Sequence, residues 1–96
     1  MVLDGQSPDQ NRRIREIAAA HGASNVRVFG SRARGAAGPF SDLDILIDLE
    51  PGRSLLDVVA IKQDLEDALG CRVDVVTEAA LSPYLRDSVL REAIAI

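Results

Sequence analysis

Tryptophan is absent from this sequence, and the only aromatic side chains are Phe29, Phe40 and Tyr84. A core must therefore be built from Val, Ile, Leu and Ala. Cysteine occurs once, at Cys71, which excludes an internal disulfide and fits a reducing cytoplasm. No apolar run approaches the roughly 20 residues needed to span a bilayer. The opening MVLDGQSPDQ lacks the basic start and apolar stretch of a signal peptide, so a cytoplasmic location is expected. Positive charge is not in excess either: 11 Lys and Arg face 15 Asp and Glu, a net charge of −4, which argues against general nucleic-acid binding. Arg12, Arg13 and Arg15 read as the solvated face of a helix. No repeat, low-complexity segment or linker interrupts the 96 residues, and a single domain over 1–96 is expected. Its core would be thin, so contacts with a partner matter.

What is present is an alternation of helix and strand signals. Ser7-Pro8-Asp9-Gln10 reads as a helix start, with a Ser cap, Pro in the first turn and Gln placed to close a capping box. Ile14, Ile17 and Ala18 form a narrow apolar stripe, and Gly22 suits a left-handed cap. Val26 to Phe29 reads as a short strand stopped by Gly30. After a Gly- and Ala-rich turn, Leu43 to Leu49 is the clearest strand. Leu43, Ile45, Ile47 and Leu49 share one face, while Asp42, Asp44, Leu46 and Asp48 share the other. Ser54 with Asp57 opens a second helix carrying Leu55, Val58, Ile61, Leu65 and Leu69, and Gly70 ends it. Arg72 to Thr77 is a third strand. Ser82-Pro83 starts a last helix, followed by the apolar tail Ile94-Ala95-Ile96. The order predicts a small α/β (α+β) fold, a mixed sheet flanked by helices.

The chemistry concentrates between Val26 and Asp44, with Asp74 added from a distance. Asp42 and Asp44 stand two apart on a strand, so their carboxylates leave one face from Cα atoms roughly 6.5–7 Å apart. Carboxylates that close repel unless a cation lies between them, and hard ions such as magnesium prefer oxygen ligands. Asp48 has the same parity but lies farther along, and reads as a solvated or structural acid. Asp74 interrupts Val73, Val75 and Val76, where a charge is costly unless paired or bound to metal. A strand breaking at Gly30 into a helical turn exposes backbone N–H groups suited to phosphate oxygens, and Ser31 adds a hydroxyl. Arg32 and Arg34 supply positive charge, although neighbouring arginines diverge and one of the two is expected to reach. Singly, these features have plainer readings: a solvated strand edge, an outward-facing acid, an ordinary turn. Jointly they form a reaction centre. Two magnesium ions about 3.5–4 Å apart would stabilise an attacking oxygen and a departing pyrophosphate. Asp42, Asp44 and Asp74 would hold the ions, with Asp74 assisting removal of the acceptor's proton.

The string GSRARGAAGPFSDLD, with the isolated acid of RVDVV, resembles the signature of the DNA polymerase beta-like nucleotidyltransferase superfamily. Phe29, Gly30, Ser31, Asp42, Asp44 and Asp74 match its pattern. The compact form GSxARG…SDxDxxI and the ending LRDSVLREAIAI are similar to the minimal nucleotidyltransferases that accompany HEPN-domain toxins as antitoxins. That resemblance implies ATP as donor, two magnesium ions, and an acceptor tyrosine on a HEPN toxin that becomes adenylylated. The elements already allotted leave no residues for a separate acceptor-binding domain, so the acceptor surface is expected on another molecule.

Two rival functions remain. One is transfer to a small molecule of aminoglycoside type, bound at the interface of a homo-oligomer. The other is a non-catalytic antitoxin acting by occlusion. His21 reads as a helix-end residue, Cys71 as core filler and Phe40 as loop closure. Tyr84 reads as packed or half-exposed rather than as an acceptor. Leu90, Ala93, Ile94 and Ile96 read equally as a docking patch or as the buried end of a helix.

Overall fold

The computed structural model describes residues 7–35 and 42–96. Residues 36–41 of the Gly- and Ala-rich turn, Phe40 and Ser41 among them, lie outside the described residues, so the expectation for Phe40 goes no further. Three helices, α1 (Pro8–Ala20), α2 (Leu55–Leu69) and α3 (Pro83–Glu92), accompany four strands, β1 (Ala23–Phe29), β2 (Leu43–Leu49), β3 (Val73–Thr77) and β4 (Ile94–Ala95). The mixed sheet has the order β3-β2-β1-β4. Among the described residues no helix is long and apolar enough to cross a membrane.

Capping fixes where the helices begin. At α1 the Gln10 amide donates to Ser7 Oγ and the Ser7 amide to Gln10 Oε1, each at 3.2 Å. At α2 the Ser54 amide donates to the Asp57 carboxylate at 3.0 Å, and the Leu56 amide to Ser54 Oγ at 3.2 Å. Gly70 closes α2 in the left-handed conformation at φ +69°, which a side chain rarely adopts. The α1 end is pinned to α2 by His21 Nε2 and Asp64 Oδ2, 2.8 Å apart.

The odd-numbered face of β2 is the core face, as its alternation predicts. Leu43, Ile45 and Ile47 pack with Val28 of β1 and Val73 of β3 against Ile14 and Ala18 of α1 and Ile61 and Leu65 of α2. Since α2 is the crossover from β2 to β3, these strands run parallel, while β1 is antiparallel to β2. The β3 start is tied twice: Leu43 donates to the Arg72 carbonyl at 2.9 Å, and Val73 to Glu66 Oε2 at 3.0 Å. Glu66 also accepts from Lys62 Nζ at 2.9 Å; this bond and the one from Val73 hold its carboxyl below the usual range.

Three expectations are corrected. The apolar end divides: Leu90 lies in the last turn of α3 and Ala93 caps it, whereas Ile94 and Ala95 pair with Val28 and Arg27 of β1, and Ile94 and Ile96 pack against the core. Leu55 stands in the first turn of α2 and is 74% exposed, because burial on that helix begins deeper, at Ile61 and Leu65. Tyr84 is 94% exposed. In addition, β1 starts earlier than Val26. Its pairing shifts between Ser24 and Arg27, where Asn25 adopts φ +50°, and this bulge hides the period-two pattern.

Replacing Glu66 by Ala removes the acceptor that fixes the first residue of β3. We expect a folded protein with a lower midpoint in urea denaturation, and an unchanged midpoint would show that this bond does not hold the strand start.

Candidate active site

Chain direction gathers the acids at one end of the sheet. In parallel β2 and β3, Asp44 registers with Asp74, and in antiparallel β1, Phe29 registers with Asp44. Side chains directly across a ladder share a face, so Asp44 and Asp74 leave the sheet together, opposite the core. Asp42 precedes β2 with the same parity. Burial is the largest cause holding the Asp44 carboxyl above the usual range; the negative charges of Asp74 and then Asp42, and a hydrogen bond with Asp74, add to it. The positive charge of Arg34 opposes this shift. The donor set is all oxygen, and its mutual repulsion is of the kind a divalent cation relieves. Among the described residues no three acidic, His or Cys side chains are drawn into a finished ion cage: Asp44 and Asp74 form a contacting pair, with Asp42 beside it.

Gly30 is the residue that lets this pair fit. It is buried at φ +77°, and a Cβ built there would overlap Asp44 Oδ2. Glycine is thus required both by the backbone conformation and by the carboxylate lying against it. The chain then enters a single 3-10 turn, Gly30–Arg32, with Ala33 and Arg34 amides donating to the Gly30 carbonyl at 3.1 Å. Ser31 is half-buried within this turn.

The two arginines do diverge. Arg32 Nη2 lies 3.7 Å from Cys71 Sγ, bracing the turn against the chain that leads into β3. Arg34 turns to α3, donating from Nη1 to both carboxylate oxygens of Glu92, at 3.1 and 3.3 Å. The Gly30 amide donates to Glu92 Oε1 at 3.0 Å. In the sequence Glu92 carries one signal, a carboxylate in the last turn of a helix, where the dipole disfavours it.

Farther along the same sheet face lies a separate ion network. Arg27, 12% exposed, donates to Asp48 Oδ1 at 3.1 Å and pairs with Glu78 at 3.8 Å. Asn25 donates to Asp48 Oδ2 at 3.0 Å, so Asp48 is a structural acid, as its position suggests. Cys71 is half-buried and packs against the core.

Two outcomes follow. Gly30→Ala should lower stability by about 1–3 kcal/mol in chemical denaturation, since the left-handed backbone and the Asp44 overlap act together. For Asp44, a folded-state pKa above the unfolded value means its favourable contribution is full below about pH 3.8 and lost as pH rises through the raised value. In buffer without divalent cations, Asp44→Asn should therefore raise Tm at pH 7, with the gain vanishing towards pH 3. A lower Tm at pH 7 would contradict the repulsion.

The sequence profile for the nucleotidyltransferase domain matches residues 11–96. The chain is 40% identical over 80 residues to the protein adenylyltransferase MntA of Thermococcus cleftensis, covering 83% of this chain and 81% of that one. It superposes with TM-score 0.82 on a solved structure provisionally described as a minimal nucleotidyltransferase, at 51% identity over 92% of this chain and 90% of the other. A chain from the complex of tri-AMPylated Shewanella oneidensis HEPN toxin with its MNT antitoxin shares the fold at TM-score 0.69 and 19% identity, covering 90% of this chain and 67% of that one. A profile match over nearly all of the described chain, together with the acids and the glycine turn brought to one end of the sheet, makes this protein a member of the nucleotidyltransferase domain family and an enzyme of nucleotidyl transfer.

Proposed function

We propose that this protein transfers AMP from ATP to a hydroxyl of a protein partner, a tyrosine of a HEPN-domain toxin, and thereby acts as an antitoxin. The observation that carries the reading is the register of Asp44 with Asp74 beside Gly30. The adenylyl donor and protein acceptor follow the name of the Thermococcus cleftensis relative, and the HEPN toxin follows the Shewanella oneidensis complex.

In this reading Asp42, Asp44 and Asp74 hold two magnesium ions, which when bound supply charge neutralisation for the attacking and departing oxygens. The amide of Gly30 and the turn at Ser31 grip the outer phosphates of the donor, and Arg34, the arginine whose charge reaches Asp44, adds its guanidinium. Arg32, also expected among the phosphate-binding groups, braces the turn against Cys71 in this structure. The acceptor oxygen forms a bond to the α-phosphorus as the bond from that phosphorus to the bridging oxygen of pyrophosphate breaks. Pyrophosphate leaves with that electron pair, and Asp74, the exposed member of the acid pair, takes the acceptor's proton.

The test is to incubate the purified protein with α-labelled ATP, magnesium and a HEPN-domain protein from the same organism. Label should appear on a tyrosine of the partner, require magnesium, and fall by about 100-fold or more in Asp42→Asn and Asp44→Asn. Label on an aminoglycoside and none on the partner would replace this acceptor. Transfer undiminished in both variants would remove the assigned acids from the chemistry.

A further inference from the structure

The Glu92 carboxylate is hydrogen-bonded to two of the groups assigned above to the triphosphate. Its Oε1 accepts from the Gly30 amide at 3.0 Å, and both its oxygens accept from Arg34 Nη1, at 3.1 and 3.3 Å. Two anionic oxygens shared between a turn's leading N–H and a guanidinium reproduce what a phosphate would present there. We infer that Glu92 is a built-in competitor of the donor triphosphate, and that nucleotide binds by taking Gly30 and Arg34 from it. This rests on the reading of Gly30 and Arg34 as phosphate-binding groups.

The setting of Glu92 favours exchange over permanent attachment. It is the last residue of α3, where the free carbonyls repel a carboxylate, so its own helix does not hold the charge. Its side chain is 24% exposed, which leaves water to receive it. Its backbone is fixed independently: the Ala93 amide bonds to the Val89 carbonyl at 2.9 Å, and Ile94 and Ala95 are paired to β1. Release therefore needs only rotation of one side chain, with the fold unchanged. Arg34 also faces Asp44, so in the resting arrangement it is shared between two carboxylates. A bound triphosphate would compete with both, and Glu92 is the partner not assigned to hold an ion. Glu92 is accordingly a positioning residue that sets affinity for the donor and touches no reacting atom.

Equilibrium binding of magnesium AMP-PNP to wild-type protein, Glu92→Gln and Glu92→Ala tests this, alongside kcat and KM for ATP in partner labelling. Both variants should bind about tenfold more tightly, the equivalent of one charge-assisted bond no longer in competition, with the gain in KM and not in kcat. Unchanged or weaker binding would overturn the inference, since a carboxylate that merely props the turn gives that result. Wild-type protein carrying 13C-carboxyl glutamate supplies a check that needs no variant. The Glu92 resonance should shift on saturation with AMP-PNP, and a static resonance would also overturn it. The two levels of failure separate cleanly. If wild type binds AMP-PNP and Gly30→Ala does not, but Glu92→Gln is no tighter, the competitor role alone falls. If neither wild type nor Glu92→Gln binds, the phosphate site itself is wrong and takes this inference with it.

Discussion

Two carboxylates held side by side govern the rest of this molecule. Asp44 and Asp74 meet because β2 and β3 run parallel in a fixed register, and they repel because both leave the sheet on one face. Folding brings together charges that would otherwise stay apart, and the work is done by the opposite face. There Leu43, Ile45, Ile47 and Val73 are fully buried against α1 and α2. A slip of one residue in β3 would expose Val73 and bury Asp74, so core packing and placement of the acids are a single constraint. The site is stabilised from behind.

Gly30 extends that constraint to β1. The Asp44 carboxylate occupies the space a side chain at 30 would need, which lets the backbone of the turn and the acid pair approach one another closely. The turn is then braced from two sides, by Arg32 against Cys71 and by Arg34 and Gly30 against Glu92. Each brace comes from a different part of the chain: one from the approach to β3, the other from the end of α3. Neither lies within the contiguous motif that marks the site in the sequence. The motif supplies the groups proposed to meet the nucleotide, whereas distant residues hold those groups in the resting turn.

That division explains how much was legible beforehand. The alternation in Leu43–Leu49 assigns core and site faces by parity alone, and the lone acid among the valines of β3 points to the same face once the strands are neighbours. Helix starts were legible because capping is local, as Ser7 with Gln10 and Ser54 with Asp57 show. What escaped depends on partners far along the chain. β4 has two residues, too few for a period, and exists because β1 offers it an edge. The Asn25 bulge interrupts its own pattern, and its role is visible only when Asn25 and Arg27 meet Asp48. Leu55 fits the helical stripe of α2 but falls in its first turn, beyond the stretch that buries Ile61 and Leu65. Glu92 carried almost no signal, since nothing near it in sequence shows that Gly30 lies 3.0 Å away.

The electrostatic balance also orders the events of binding. A triphosphate is strongly anionic, and it approaches an end of the sheet that already carries Asp42, Asp44, Asp74 and Glu92, with Arg34 set directly among them. In the proposed reading one arginine does not offset that accumulation, so donor and cation would bind with mutual support, each lowering the repulsion felt by the other. On that proposal, affinity for the donor would be a property of the acids with their cations and of Glu92 together. A fold with few groups on the positive side of the balance would thus discriminate strongly between a bare nucleotide and its metal complex.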